Sequence, residues 1–145
     1  MNYKAASLVA FVLLVACCLW MYVIGSLFAN GPVTLAVQGA AVLLMIWARV
    51  IFRARSFHAA ANPTEGGIVT TGPYRYIRHP IYAAIFYFLA AGAAAHPSLG
   101  SLSATVIAAA MLFIRARSEE ILLLERYPEY SQYAAATARI LPRVF

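Results

Sequence analysis

The chain has 145 residues, of which 63% are hydrophobic and only 11% charged, with eleven Lys and Arg against five Asp and Glu and a net charge of +6. A soluble domain of this size carries about a quarter charged residues, so this composition excludes an ordinary water-soluble globule and points to the bilayer as solvent, in agreement with a mean hydropathy of +0.77. The basic excess does not point to nucleic acid, because the basic residues flank apolar runs instead of forming a stripe on a polar surface.

In chain order, Lys4 is followed by a run without charge from residue 5 to 29. It exceeds the signal-peptide core of about 7–15 residues and is long enough to cross a bilayer, which predicts a first transmembrane helix over 5–29. Cys17 and Cys18, adjacent in this run, cannot form an ordinary disulfide with each other, and no His or acid lies near enough in sequence to suggest a metal site. They read as small helix- or lipid-facing side chains, and no metal site is expected. Asn30-Gly31-Pro32 signals a turn, and a second apolar helix follows over 33–52, expected to form an antiparallel hairpin with the first. Trp47 suits a membrane interface, with Arg49, Arg53 and Arg55 beyond it.

The composition changes between Arg49 and His79. Five arginines, two histidines, Glu65 and the break Asn62-Pro63-Thr64-Glu65-Gly66-Gly67 fall here. Its first part, to His58, reads as an interfacial helix. Pro80 then opens a third apolar segment over 80–95, proline being well placed at the first turn of a helix. After the turn His96-Pro97-Ser98-Leu99-Gly100, a fourth apolar segment runs over 101–114. Both are short and rich in Ala and Gly, which lets helix backbones approach closely in lipid, so a tightly packed third–fourth pair is expected. The segment 115–145 reads as an extension of the fourth helix, a break at Tyr127-Pro128, a shorter helix around Glu129 to Arg139, and Leu141-Pro142 near the end. The fold class expected is therefore all-α: a single membrane bundle over 1–145 with about four spans and a helical tail. Neither turn, 30–32 or 96–100, contains Lys or Arg. The charge bias assigns both termini, the 53–79 loop and the 115–145 tail to the cytoplasmic side of an inner or cytoplasmic membrane.

Two clusters could carry chemistry, and this topology puts both on that side. The first runs Thr70-Thr71-Gly72-Pro73-Tyr74-Arg75-Tyr76-Ile77-Arg78-His79-Pro80-Ile81-Tyr82. With Pro80 at the first helical position, His79 becomes the N-cap, where free backbone N–H groups and the helix dipole favour an anionic group. Gly72 permits backbone conformations closed to other residues, and the tyrosines offer apolar walls with polar tips. Together these suit a small zwitterionic molecule with an aromatic part. Single Arg, His and Tyr residues at a membrane surface are ordinary topology and belt residues, but a belt requires no particular order, and the order Gly-Pro-Tyr-x-Tyr-x-Arg-His-Pro-x-Tyr is specific. The second cluster is Arg115-Ala116-Arg117-Ser118-Glu119-Glu120, followed by Tyr127-Pro128-Glu129-Tyr130 and Tyr133. On a helix Arg115 pairs with Glu119 and Arg117 with Glu120. These are either surface ion pairs or acids that hold a cationic or hydroxyl-bearing ligand.

Over roughly residues 66 to 142 these clusters resemble the isoprenylcysteine carboxyl methyltransferase family and the related membrane phospholipid methyltransferases, which share a Gly-x-Tyr…Arg-His-Pro-x-Tyr segment, a helix-end Arg…Glu-Glu and a Tyr-x-x-Tyr tail. The resemblance implies S-adenosylmethionine as cofactor. It places Ile68, Val69, Tyr74, His79, Pro80, Tyr82 and Glu119 at cofactor-contacting positions and Arg115 at the residue that holds a substrate carboxylate. Glu120 and Arg139 fall at family-like positions; for a thiol or amine acceptor, Glu120 or His79 would serve as base, and Arg115 and Glu120 are the candidate catalytic pair. The tail Tyr127-Pro128-Glu129-Tyr130 is one residue shorter than the family's Phe-Gly-acid-acid-Tyr, and Gly66 and Gly67 replace bulkier residues. The implied partners are the bilayer and a lipophilic or prenylated acceptor, a carboxylate first and a thiol or lipid amine otherwise, with no nucleic acid. Two other functions stay open: a membrane reductase using a nicotinamide cofactor, and a non-enzymatic membrane interaction protein packed through its Ala/Gly-rich helices.

Overall fold

The computed structural model describes residues 2–52 and 68–141. The interfacial-helix reading through Arg53, Arg55 and His58, the break over 62–67 and Pro142 lie outside the described residues. Among the described residues there are five α-helices and one 3-10 turn: α1 (Tyr3–Val23), α2 (Pro32–Phe52), the turn (Gly72–Arg75), α3 (Pro80–Ala95), α4 (Leu99–Arg126) and α5 (Tyr130–Ala136). Three of them, α1, α2 and α4, are long and apolar enough to cross a membrane, while α3 is a shorter apolar helix of 16 residues.

Helix α1 starts where Asn2 accepts the Ala5 N–H at 3.2 Å. It stops at Val23, six residues before the expected end at Ala29. Gly25 adopts φ +68°, the Gly25 N–H donates to Tyr22 O at 3.0 Å, and the Ser26 N–H donates to Met21 O at 2.8 Å. That is the paired closing motif of a helix C-terminus built on a left-handed glycine. The connection 24–31 is therefore non-helical backbone between two apolar helices. Two of its backbone groups are met by Gln38 of α2, which accepts from Ala29 N at 2.9 Å and donates to Leu27 O at 2.8 Å, and also to Phe88 O of α3 at 3.1 Å. Away from water such groups must find partners within the protein. Gly92 of α3 makes room for the same connection, since a Cβ there would sit 2.5 Å from Ser26 O and 2.6 Å from Leu27 O.

The expected α1–α2 hairpin does not form as a packed pair. α1 packs along α4, α4 on α3, and α3 on α2, so the neighbour order is α1–α4–α3–α2. The third–fourth pair is in contact, but the two outer pairings are the more extensive ones. The α1 face that meets α4 is the stripe Ser7, Ala10, Leu14, Cys17 and Met21, matched on α4 by Ser101, Ala104, Ala108 and Leu112. Spacing by three or four residues places each set on one side of its helix, and the alanines admit close approach. Leu14, Cys17, Met21, Ala104, Ala108 and Leu112 of these stripes, with Leu89 and Ala93 of α3, make the core.

Helix α4 opens with a capping box, Ser98 accepting from Ser101 N and Ser101 answering to the Ser98 backbone. It runs unbroken for 28 residues, about 42 Å at the usual rise, well beyond a hydrocarbon core of about 30 Å. Its C-terminal half therefore lifts Arg115, Glu119 and Glu120 to the end of the bundle where α3 begins. The chain then breaks at Tyr127-Pro128, as the sequence predicts, and α5 leads the tail back to the start of α3. There Ile77 and Ala138 form an isolated parallel bridge, with Arg78 N donating to Ala138 O at 2.7 Å, His79 N to Arg139 O at 3.0 Å and Ala138 N to Tyr76 O at 3.1 Å.

Candidate functional site

The site is assembled at the N-terminus of α3. Gly72, at φ +60°, turns the chain into the 3-10 element, and a Cβ there would meet Ile51 at 2.8 Å and the Trp47 indole nitrogen at 3.3 Å. The turn is thereby seated on the end of α2, with Tyr74 buried and its ring 5.4 Å from that of Phe52. Pro80 is the first residue of α3 and His79 its N-cap, as the sequence predicts. The His79 ring makes no cap bond to the backbone. It stacks instead on Tyr82, at 5.3 Å between centroids and 3° between planes.

Around this pair converge two carboxylates of α4. His79 Nδ1 lies 3.6 Å from Glu119 Oε2, and Nε2 lies 3.3 Å from Glu120 Oε1. The anionic groups at this helix start are thus the protein's own. The Tyr82 hydroxyl donates to Glu119 Oε1 and accepts from Arg115 Nε at 3.2 Å. Arg115 Nη2 stands 3.5 Å from Glu119 Oε1, the i,i+4 pair that the sequence predicts. The guanidinium of Arg115 lies between two aromatic rings, Phe11 at 5.1 Å and Tyr82 at 5.6 Å, a favourable cation–π setting. Its Nη1 donates to Ser7 O of α1 at 2.9 Å.

Glu120 has different partners. The sequence reading pairs it with Arg117 on the helix surface. The structure turns Glu120 inward and leaves Arg117 exposed. Glu120 Oε1 accepts from Arg78 Nε at 2.9 Å, and Oε2 accepts from Arg139 at 3.0 Å from Nε and 2.9 Å from Nη2. Arg78 also donates from Nη1 to Ala134 O at 2.6 Å and to Thr137 O, while Arg139 lies over the Phe113 ring at 5.3 Å. One carboxylate thereby ties the start of α3, the body of α4 and the tail into one unit.

Exposure separates the two acids. The Glu120 side chain is 6% exposed and surrounded by cations, whereas that of Glu119 is 25% exposed. Glu119 is the more accessible carboxylate; Glu120 is the anchor on which the surrounding groups are set. The Tyr133 hydroxyl donates to Tyr74 O at 2.6 Å, and burial pushes the Tyr133 phenol up to about 12 and raises those of Tyr74 and Tyr130 as well. These phenols are therefore neutral at physiological pH.

Of the residues singled out in the sequence, His79, Pro80, Tyr82, Arg115, Glu119 and Glu120 come together here. Tyr74 stands on the α2–α5 side, and Ile68 and Val69 are half-buried in the segment that leads into the turn. Sequence reasoning missed Ser7, Phe11 and Phe113, which look like ordinary members of apolar helices, and it left the joint hold of Arg78 and Arg139 on Glu120 unread. Among the described residues no group of three or more His, Cys, Asp and Glu side chains gathers as for a metal ion.

These features define a helical membrane protein with a charged, aromatic-lined site where its third and fourth helices meet the polar tail. The sequence model of the isoprenylcysteine carboxyl methyltransferase (ICMT) family matches residues 33–125, which spans α2 to α4, and the chain belongs to that family. It is also similar to the nickel-cobalt-cadmium resistance protein NccN of Alcaligenes xylosoxydans xylosoxydans, 35% identical over 78 residues, which are 53% of this chain and 37% of the relative. Similarity to the cobalt-zinc-cadmium resistance protein CzcN of Cupriavidus metallidurans is 31% over 78 residues, 53% of this chain and 36% of the relative. The matched stretch thus covers little more than a third of either relative. No solved structure matches the chain.

Proposed function

We propose that this protein is an S-adenosylmethionine-dependent methyltransferase that acts at the membrane surface on a lipophilic acceptor, in the first place a carboxylate of the isoprenylcysteine kind. The observation that carries the reading is the pairing of a reachable acid with a fixed guanidinium, Glu119 with Arg115, bridged by the Tyr82 hydroxyl and flanked by His79, in a chain of this family. The donor set fits the cofactor: a part-exposed carboxylate for its cationic or hydroxyl groups, stacked His79 and Tyr82 rings, and the half-buried Ile68 and Val69 with Tyr74 beyond them. When bound, the cofactor supplies an electrophilic methyl group on a sulfonium.

The residues of the chain supply position and exclusion of water. A carboxylate acceptor is already ionised and needs no base. Arg115 holds it by a charge-assisted hydrogen bond when it exchanges Glu119 for the acceptor. A thiol or amine would need a proton acceptor, and His79 or Glu119 is better placed for this than Glu120, whose oxygens are engaged by two guanidinium groups. The names of the two relatives, both heavy-metal resistance proteins, support a setting in metal resistance. The experiment is transfer of a labelled methyl group from S-adenosylmethionine by the purified protein in lipid, offered in turn prenylated or fatty acids, the corresponding thiols and lipid amines. Incorporation as a base-labile ester supports the carboxyl reading, base-stable label redirects it to a thiol or amine, and no incorporation into any of the three acceptor classes counts against methyl transfer.

In the same proposal residues 1–145 form one domain with four spans, α3 crossing as the short one, and with both termini, the 53–79 loop and the site on the cytoplasmic face. The distribution of basic residues supports this orientation. Cysteines placed at positions 31 and 98 should then react with an impermeant thiol reagent from the outer side and one at 66 from the cytoplasmic side. Labelling of 66 and 31 from the same side would contradict it.

A further inference from the structure

Helix α1 lies outside the stretch matched by the family, residues 33–125, yet it reaches the site through two residues one turn apart. Ser7 O accepts from Arg115 Nη1 at 2.9 Å, and the Phe11 ring lies 5.1 Å from the same guanidinium. Ser7 is 0% exposed and heads the otherwise apolar stripe Ala10, Leu14, Cys17 and Met21 that packs on α4. Its Oγ is, among the described residues, the one buried side-chain polar atom without a hydrogen-bond partner.

Hydroxyls in helices ordinarily bond back to a carbonyl of the preceding turn. Other hydroxyls of this protein do so: Thr105 to Ser101 O at 2.8 Å, Ser103 to Gly100 O at 3.2 Å and Thr137 to Tyr133 O at 2.6 Å. Ser7 does not. An unpaired buried hydroxyl is a standing cost in an apolar seam where alanine would pack as well, and such a group in a folded protein calls for an explanation.

We propose that Ser7 is a second holding point for the acceptor, its hydroxyl donating to the acidic head group that Arg115 pairs with. This rests on the acceptor reading given above and deepens it, because it makes α1 part of the acceptor site. Ser7 is tied through its own carbonyl to the guanidinium that would bind the acid, which puts the residue next to that donor. Glu119, the part-exposed partner of Arg115 Nη2, is the group that turns aside for the incoming oxygen. Phe11 keeps the guanidinium from following it.

The test uses the full chain in lipid nanodiscs and a defined probe, S-farnesyl-thiopropionic acid, with its methyl ester as the uncharged control. Binding of both is measured by calorimetry to the parent, Ser7→Ala and Ser7→Thr, with S-adenosylmethionine binding and thermal stability recorded on the same samples. Loss of a hydrogen bond to a charged group should weaken the acid by about tenfold in Ser7→Ala, leave the ester and the cofactor unchanged, and be largely restored in Ser7→Thr. Unchanged acid affinity in Ser7→Ala, with a gain in thermal stability, would show the hydroxyl to be an unpaired core group and overturn the proposal. So would a parent that does not distinguish acid from ester. Failure of the methyltransferase reading is separate: acid binding that depends on Ser7 in a protein that binds no cofactor keeps the subsite and removes the methyl transfer.

Discussion

Glu120→Ala is expected to cost about 3–5 kcal/mol of stability, the usual consequence of removing one partner from a buried ion cluster. Glu120 is the common acceptor for Arg78, Arg139 and His79, and the side chain of Arg78 is buried and that of Arg139 half-buried, 7% and 18% exposed. Alanine leaves two guanidinium groups facing each other without their counter-ion and away from bulk water. The tail 127–141, which returns to α3 through the Ile77–Ala138 bridge and through Arg78, should loosen first. Thermal unfolding in detergent should show a midpoint lowered by about 10 °C or more, with earlier proteolysis of the tail. Glu120→Gln keeps the shape and part of the hydrogen bonding, and should lie between the two. A midpoint within a few degrees of the parent would mean that the cluster does not hold the tail.

Arg115→Ala is expected to lower kcat/KM for methyl transfer to a lipophilic acid by at least about 100-fold, the range for truncating one partner of a buried hydrogen-bonded charge pair. S-adenosylmethionine affinity should change by less than about threefold, because the role proposed for Arg115 is on the acceptor side. Lysine at this position keeps the charge but loses the fork that reaches Ser7 O, the Tyr82 hydroxyl and Glu119 at once, so Arg115→Lys should recover only a small part of the loss. Unchanged kcat/KM in Arg115→Ala would leave the guanidinium with a structural role between α1 and α4 and no part in holding the acceptor.

Local chemistry made several features legible in the sequence. Pro80 marked the start of α3 to the residue, Tyr127-Pro128 marked the break before α5, and the Arg115–Glu119 pair follows from helical spacing alone. The same kind of reasoning overran α1, because Gly25 stands inside an apolar run and its positive φ is a property of the chain's path, not of hydropathy. It also paired α1 with α2, since sequence neighbours are the default partners. Which faces meet is decided by the stripes on α1 and α4 and by the close approach at Gly92, and neither stripe names its partner. Glu120 shows the limit most clearly. Arg117, one turn away, is the partner that spacing suggests, whereas the actual ones stand 42 and 19 residues away, at Arg78 and Arg139. Those pairings come from the return of the tail to the α3 N-terminus, which no local pattern encodes. Ser7 and Phe11 were hidden because a lone serine and a lone phenylalanine are unremarkable in a membrane helix.

The central claim is a cofactor site between the start of α3 and the reachable acid of α4. Its most direct test is calorimetric titration of the purified protein with S-adenosylmethionine and with its demethylated product, beside His79→Ala and Glu119→Ala, each shown to be folded. The account predicts saturable binding by the parent, weakened about tenfold or more in both variants. Absence of binding by the folded parent, or binding that neither substitution disturbs, would contradict it.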